Sequence, residues 1–109
     1  MRLVNERTGT VVADHVELAT TRAARRRGLL GRDTLPPTAA FVLSPCFSVH
    51  TAFMKFPLDV LFVDSDSVVR RVVQMPPWRI AVDPRARVVI EMAAGVPRDV
   101  RVGDRVAMR

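Results

Sequence analysis

The apolar segments of this chain are short, and turn-forming residues separate them at frequent intervals. Eight prolines and five glycines are spread over 109 residues, and no long stretch repeats the helical spacing of apolar residues. Short runs of β-branched and aromatic residues bounded by such turns are typical of strands. Because long helical patterns do not alternate with these runs, a doubly wound parallel sheet is disfavoured. We therefore expect a β-rich α+β fold.

The predicted architecture is a small mixed, largely antiparallel barrel or curled sheet with one short helix packed against it. Thr20 or Thr21 is suited to cap a helix that continues to Arg27, and Gly28 is a favourable stop. The best hairpin candidate turns at Asp64–Ser67. We expect a single domain over residues 1–109 with about eight strands, at Leu3–Asn5, Val11–Leu18, Ala40–Leu43, Phe47–Phe53, Asp59–Val63, Val68–Gln74, Arg87–Met92 and Arg105–Met108.

The composition predicts a soluble, cytoplasmic protein. No apolar stretch approaches the roughly 20 residues that a membrane-spanning helix requires, and the first residues lack the apolar run of a signal peptide. The single cysteine excludes an internal disulfide and a cysteine-based zinc site. The two histidines, His15 and His50, match no zinc-ligand spacing, so we expect no metal and no cofactor.

The chain carries a formal net charge of +6, and Lys55 is the only lysine among its 17 basic residues. Such a charge is compatible with a nucleic-acid or acidic-membrane surface. The basic residues are nevertheless spread along the sequence, apart from Arg25-Arg26-Arg27 at the predicted helix end, where the helix dipole favours cations. We favour an arginine-rich composition over a binding surface, and we do not expect nucleic acid as a partner.

The stretch Cys46–Asp64 places polar side chains inside two strongly apolar runs. An unpaired buried polar group costs roughly 1–3 kcal/mol, so each of these groups needs a partner or a cavity. In a strand over Phe47–Phe53, His50 and Met54 would share a mixed face, like a pocket wall. The other face, with a phenylalanine at each end, would belong to the core. The candidate ligand-binding residues are His50, Thr51, Met54, Asp59 and Glu91.

The polar candidates also have structural explanations. A hydrogen bond to the backbone would account for His50, and a capped turn would account for Asp59. Glu91 lies within an apolar strand, where an ion pair would require one of three arginines, Arg25, Arg70 or Arg71. We expect His50, Asp59 and Glu91 to border one pocket, because one wet concavity satisfies all three groups.

Six segments occur in order along the chain: Arg25–Leu30, Val49–Met54, Pro57–Asp64, Pro77–Arg79, Val89–Gly95 and Val102–Asp104. Together they resemble the bacterial and archaeal family catalogued as domain of unknown function number 192. Leu30 stands where that family usually has methionine after Gly-Leu, a volume-conserving exchange. The resemblance covers most of the chain, from Ala19 to Val106, and implies a compact β-rich domain without implying an activity.

The leading functional interpretation is a non-enzymatic binding or accessory module with a pocket near His50. Its partner would be a small molecule or a protein. The alternative is a hydrolase- or lyase-like enzyme in which His50 acts as the base and Asp59 or Glu91 orients it. A basic nucleic-acid or membrane-surface binder is the third class, and strong salt dependence of binding would identify it.

Cys46 is predicted to be passive and partly buried, because His50 would lie roughly 13 Å away in a straight strand. Cys46→Ala should leave ligand binding or any activity within a few fold. It should lower the free energy of unfolding by about 1 kcal/mol at most, as measured by chemical denaturation. Loss of all function in a variant that keeps its fold would contradict this prediction.

Overall fold

The computed structural model describes residues 1–109 and contains ten strands and one helix, which confirms the β-rich expectation. The helix, α1, spans Arg22–Arg27. No helix is long and apolar enough to cross a membrane. The strands are β1 (Leu3–Asn5), β2 (Thr10–Ala13), β3 (His15–Ala19), β4 (Ala39–Leu43), β5 (Ser48–His50), β6 (Leu58–Val63), β7 (Val69–Met75), β8 (Ile80–Val82), β9 (Val88–Ala93) and β10 (Val106–Met108).

Helix α1 begins and ends where the sequence favours it. Oγ1 of Thr21 accepts a hydrogen bond from the Ala24 amide at 3.1 Å, so Thr21 is the N-cap. At the other end Gly28 has a φ of 51° and donates its amide to the Ala24 carbonyl. The turn at Gly28 directs Leu29 into the core, where its side chain is buried.

A five-stranded sheet forms the centre of the molecule, in the order β3-β4-β9-β6-β7. β3 and β4 run parallel, and the other neighbours run antiparallel. The expected hairpin connects β6 and β7, with Val60 opposite Val73. Within its turn, Oδ1 of Asp64 accepts hydrogen bonds from the amides of Asp66 and Val68. The hairpin prediction is therefore confirmed.

The structure has ten strands, two more than the expected eight. Its sheets do not close into a barrel. The predicted strand Val11–Leu18 divides at Asp14, because β2 pairs with β1 whereas β3 pairs with β4. The chain thus passes from one sheet to another at this residue. The additional strand β8 forms a two-stranded sheet with β5. No barrel closes, since three separate sheets share the strands.

The predicted strand Phe47–Phe53 is shorter in the structure. β5 ends at His50, and the chain then turns, with the Met54 amide donating to the Thr51 carbonyl. Val49 and Thr51 are buried as expected, but both phenylalanines are exposed. The prediction that Phe47 and Phe53 belong to the core is therefore wrong, because Phe47 lies before β5 begins and Phe53 lies beyond the turn, so neither continues the period of two of the strand.

Two apolar clusters cover the two faces of the central sheet. Alternation along β9 and β6 sends Val89 and Val60 to one side and Ile90 and Leu61 to the other. The first side, here the helix face, packs against Leu29 after α1, Val49 of β5 and Met54 in the turn after β5. The second side, here the outer-sheet face, packs against Leu3, Ala13 and Val106 of the sheet β10-β1-β2.

The outer sheet joins the two ends of the described chain. β1 pairs with β10, so Leu3 lies opposite Met108. Beside this pairing, the carboxylate of Asp104 accepts from Nδ2 of Asn5 at 2.9 Å and from Nε of Arg7 at 2.7 Å. The hydrogen bond from Arg7 is the largest of the effects that hold the pKa of Asp104 well below its usual range.

Thr51 is fully buried and forms hydrogen bonds to the loop between β7 and β8. Its hydroxyl donates to the Pro76 carbonyl at 2.6 Å and accepts from the Arg79 amide at 2.9 Å. Its backbone amide donates to the Arg79 carbonyl at 2.8 Å, and its carbonyl accepts from the Trp78 amide at 2.9 Å. These four bonds, here the Thr51 clamp, fix residues 76–79 against the end of β5.

Thr51→Val keeps the side-chain size and removes the hydroxyl. We expect the free energy of unfolding to fall by about 2–3 kcal/mol, because the Pro76 carbonyl and the Arg79 amide lose a partner away from water. Urea denaturation measures this loss. The matched exchange Thr10→Val, at an exposed position of β2, should change stability by less than about 0.5 kcal/mol. Equal effects of the two substitutions would contradict the clamp.

Candidate functional site

Glu91 lies in the middle of β9, the central strand of the five-stranded sheet. It is opposite Phe41 of β4 on one side and Val60 of β6 on the other. Directly opposed residues point to the same side of a sheet, so the Glu91 side chain points to the helix face. Only 5% of Glu91 is exposed. An ionisable group is therefore placed within the larger apolar cluster.

A small recess of about 60 Å³ lies between Glu91 and the layer that covers the helix face. The last turn of α1 and the residues after it form one wall, and β5 with its following turn forms another. The Glu91 recess, as we call it, is lined by residues 25–30, Leu43, Val49, His50, Met54 and Glu91. The structure thus brings three of the sequence-predicted residues, His50, Met54 and Glu91, to one concavity.

The ion pair considered for Glu91 is not formed. Arg25 donates to the Thr20 carbonyl at 2.8 Å, and Arg70 pairs with Asp83 at 2.9 Å. Arg71 lies over the ring of Phe62, 5.8 Å from its centre. Burial alone raises the pKa of Glu91 to about 7, with no compensating effect from a neighbouring charge or hydrogen bond.

The carboxylate of Glu91 reaches the surface of the recess. The Glu91 oxygens have no hydrogen-bond partner within the chain, yet they are not completely enclosed. The one side-chain nitrogen or oxygen that is both enclosed and unpaired is Nε of Arg98. The Glu91 oxygens are therefore available to a water molecule or ligand in the recess.

Asp59 lies apart from the other polar candidates. It follows Leu58 and precedes Val60, whose side chains are on the helix face, so Asp59 points to the outer-sheet face. There its Oδ2 accepts from Nη1 of Arg98 at 3.0 Å. The same Arg98 nitrogen donates to the Ala93 carbonyl at 3.0 Å. The expected convergence of His50, Asp59 and Glu91 thus holds for His50 and Glu91 only, because β6 places Asp59 across the sheet.

The remaining candidates take structural positions. Thr51 does not line the recess, because the clamp uses its hydroxyl. The Cys46 thiol donates to the Ser48 carbonyl at 3.1 Å, and burial raises the pKa of this thiol. No group of three or more histidine, cysteine, aspartate or glutamate side chains comes together as a metal site would require.

Eight of the eleven residues that line the recess were not among the predicted site residues, and Arg25 and Leu29 are two of them. The sequence places Arg25 at a solvated helix end, but in the structure it is half-buried and lines the recess together with Leu29. The signal in the sequence is the stop at Gly28, which turns the chain back so that Leu29 covers the sheet. A helix end that is followed at once by a buried residue lies close to the core, and its last turn is only partly solvated.

Glu91 should make stability depend on pH in the neutral range. Its pKa is about 7 in the folded protein against an ordinary value of 4.5. Between these values the folded protein binds more protons than the unfolded chain, so the free energy of unfolding falls as the pH rises. The loss should reach about 3 kcal/mol above pH 7.

Urea denaturation at a series of pH values measures this slope. Glu91→Gln should remove it between about pH 5 and about pH 8, because glutamine does not titrate. Glu6→Gln, at an exposed position of the β1–β2 turn, should keep it. An unchanged slope in Glu91→Gln would show that another group causes the dependence.

Comparison with known proteins gives relatives over nearly the whole chain. A UPF0127 protein of Thermococcus gammatolerans is 38% identical over 96% of this chain and 73% of its own length. A UPF0127 protein of Pyrococcus abyssi is 32% identical over 95% of this chain and 94% of its own length.

Two crystal structures are similar in fold. A Sinorhizobium meliloti protein, provisionally described as a transcription regulator, has a TM-score of 0.81 at 26% identity and covers 97% of this chain and 89% of its own. A Novosphingobium aromaticivorans protein of unknown function has a TM-score of 0.77 at 22% identity, over 96% of this chain and 91% of its own.

The profile of the DUF192 family, described as "Uncharacterized ACR", matches residues 3–108. The resemblance drawn from the six sequence segments is therefore confirmed, and the chain belongs to the DUF192 family, also called UPF0127.

Proposed function

We propose that this domain is a non-enzymatic binding module and that the Glu91 recess holds its ligand. The observation that carries the proposal is the unpaired, buried carboxylate at the recess. Burying such a group without a partner is unfavourable, and the fold provides no internal donor for it. A bound molecule that donates a hydrogen bond to Glu91 would supply the missing interaction.

The recess walls define the chemistry of the ligand. Arg25, Arg26 and Arg27 line one wall and favour an acidic group, whereas Leu43 and Met54 favour a small apolar body. Glu91 requires a hydrogen-bond donor. At about 60 Å³ the recess has room for on the order of four water molecules, so the bound group must be compact. A short hydroxy acid combines these features.

Catalysis by a histidine and two carboxylates is the weaker candidate. General acid–base chemistry requires its groups within hydrogen-bond reach of one another or of one substrate. Asp59 is on the other face of the sheet and is paired with Arg98, so it is not placed to orient His50. Of the two carboxylates, only that of Glu91 lies in the recess that His50 lines.

Nucleic-acid binding also has less support. The Sinorhizobium meliloti relative is provisionally described as a transcription regulator. In this chain the single helix has six residues, of which the last three are arginines at the recess. A helix of that length presents at most one or two turns to a groove of DNA.

Glycolate is a suitable probe, because it carries a hydroxyl donor and a carboxylate on two carbons. We expect glycolate to shift the NMR signals of the His50 ring and the Met54 methyl group. Acetate, which lacks the hydroxyl, should bind about tenfold more weakly, because the Glu91 carboxylate is left unpaired. Methylammonium, which lacks the acid, should not saturate the site.

Variants assign the binding to the recess. Glu91→Gln should weaken glycolate binding about tenfold, whereas Glu6→Gln, at the exposed β1–β2 turn, should leave it unchanged. Shifts confined to residues outside the recess, or equal binding of glycolate by both variants, would overturn the proposed site.

A further inference from the structure

Four large apolar side chains are exposed on β8 and beside it. Phe53, Trp78, Ile80 and Val82, here called the β8 patch, are between 46% and 74% exposed. Ile80 and Val82 alternate with the buried Ala81 and therefore share the outer side of β8. The Phe53 and Trp78 rings are in contact, with centroids 4.6 Å apart. Large exposed apolar patches mark interaction surfaces of proteins.

The aromatic pair is held outward by the backbone. Phe53 has a φ of 64° and Trp78 a φ of 66°, in the left-handed region that bulky residues rarely adopt. The Thr51 carbonyl accepts from the Trp78 amide and from the Met54 amide, which fixes both turns. A surface that is ordered before binding loses less conformational entropy on association. The left-handed backbone at these two residues thus keeps the Phe53 and Trp78 rings exposed.

The charge beside the β8 patch is positive. Arg79 directly precedes β8, Arg85 lies three residues after it, and neither forms an ion pair. The neighbouring acid, Asp83, is neutralised by Arg70 at 2.9 Å. Lys55, two residues after Phe53, is paired with Asp33 in an exposed bridge, which contributes little attraction or repulsion. The complementary partner therefore combines an apolar layer with negative charge.

The side chains of the β8 patch protrude from the surface, since all four are exposed. None of the four lines the Glu91 recess or the cavities beside β2, Asp59, α1 and β10. An amphipathic helix partner uses a groove to receive its side chains, whereas a lipid surface receives protruding apolar side chains directly. Trp and Phe at the headgroup level with nearby arginines are typical of membrane-interface anchors.

We propose that the β8 patch docks this domain onto an anionic membrane surface. Phe53, Trp78 and Ile80 enter the interface between headgroups and acyl chains. Arg79 and Arg85 contact the acidic headgroups. This docking does not depend on the Glu91 recess, so Glu91→Gln should bind vesicles as the wild type does.

Trp78 is the only tryptophan and therefore reports directly on the β8 patch. With the full chain, vesicles of phosphatidylcholine mixed with phosphatidylglycerol should shift Trp78 emission to shorter wavelength. Pure phosphatidylcholine vesicles should bind at least about fivefold more weakly, and added salt should weaken binding to the mixed vesicles. Co-sedimentation gives the partition coefficients.

Surface variants separate the apolar and the charged contributions. Ile80→Ser should lower the partition coefficient about tenfold. Arg79→Gln should lower it about fivefold on mixed vesicles and leave it unchanged on pure phosphatidylcholine. Val102→Ser, at a similarly exposed position outside the β8 patch, is the matched control and should bind normally. Thermal unfolding at the wild-type temperature verifies that each variant is folded.

Three results would overturn the proposal. The first is an unchanged Trp78 emission with mixed vesicles. The second is equal partition of Ile80→Ser and Val102→Ser. The third is a dimer in light scattering that Ile80→Ser converts to a monomer, because the β8 patch would then be covered by a second copy of the chain.

Discussion

The position of β9 between β4 and β6 is the constraint on which the rest of the molecule depends. This strand is hydrogen-bonded along both edges and covered on both faces. Its odd-numbered residues, such as Val89, support the layer of α1 and β5, and its even-numbered residues, such as Ile90, support the outer sheet. A shift of register by one residue would exchange the two faces and bring Glu91 against the outer sheet.

The same alternation explains why two carboxylates in neighbouring strands have different environments. Asp59 faces Arg98, which provides a positive charge and one hydrogen bond. Glu91, opposite Val60 in the adjacent strand, faces apolar side chains and a small recess. The carboxylate whose pKa lies near neutral therefore belongs to one side of the sheet only. The other side holds a partly buried ion pair that connects β6 to the segment after β9.

Sequence reasoning succeeded where a local signal determines the structure. The helix cap, expected at Thr20 or Thr21 and found at Thr21, the stop at Gly28 and the turn at Asp64 are all formed by residues close in sequence. Sequence reasoning failed where contacts between residues distant in sequence determine the local structure. The turn after His50 depends on hydrogen bonds between Thr51 and residues 76–79. The alternation of side chains along one strand gives no information about such a contact. The separation of Asp59 from His50 depends on the pairing of β6 with β9, which a single sequence does not fix.

The pairing of β1 with β10 has a consequence for the order in which the chain folds. Leu3 is covered by Val106 in the second cluster, and Asn5 is hydrogen-bonded to Asp104. The first strand therefore cannot reach its final environment on a ribosome until the last strand has been synthesised. Until then the outer-sheet face of the central sheet is open, and its apolar surface is exposed to neighbouring chains. The contacts that complete the outer sheet thus become possible only when β10 has been made.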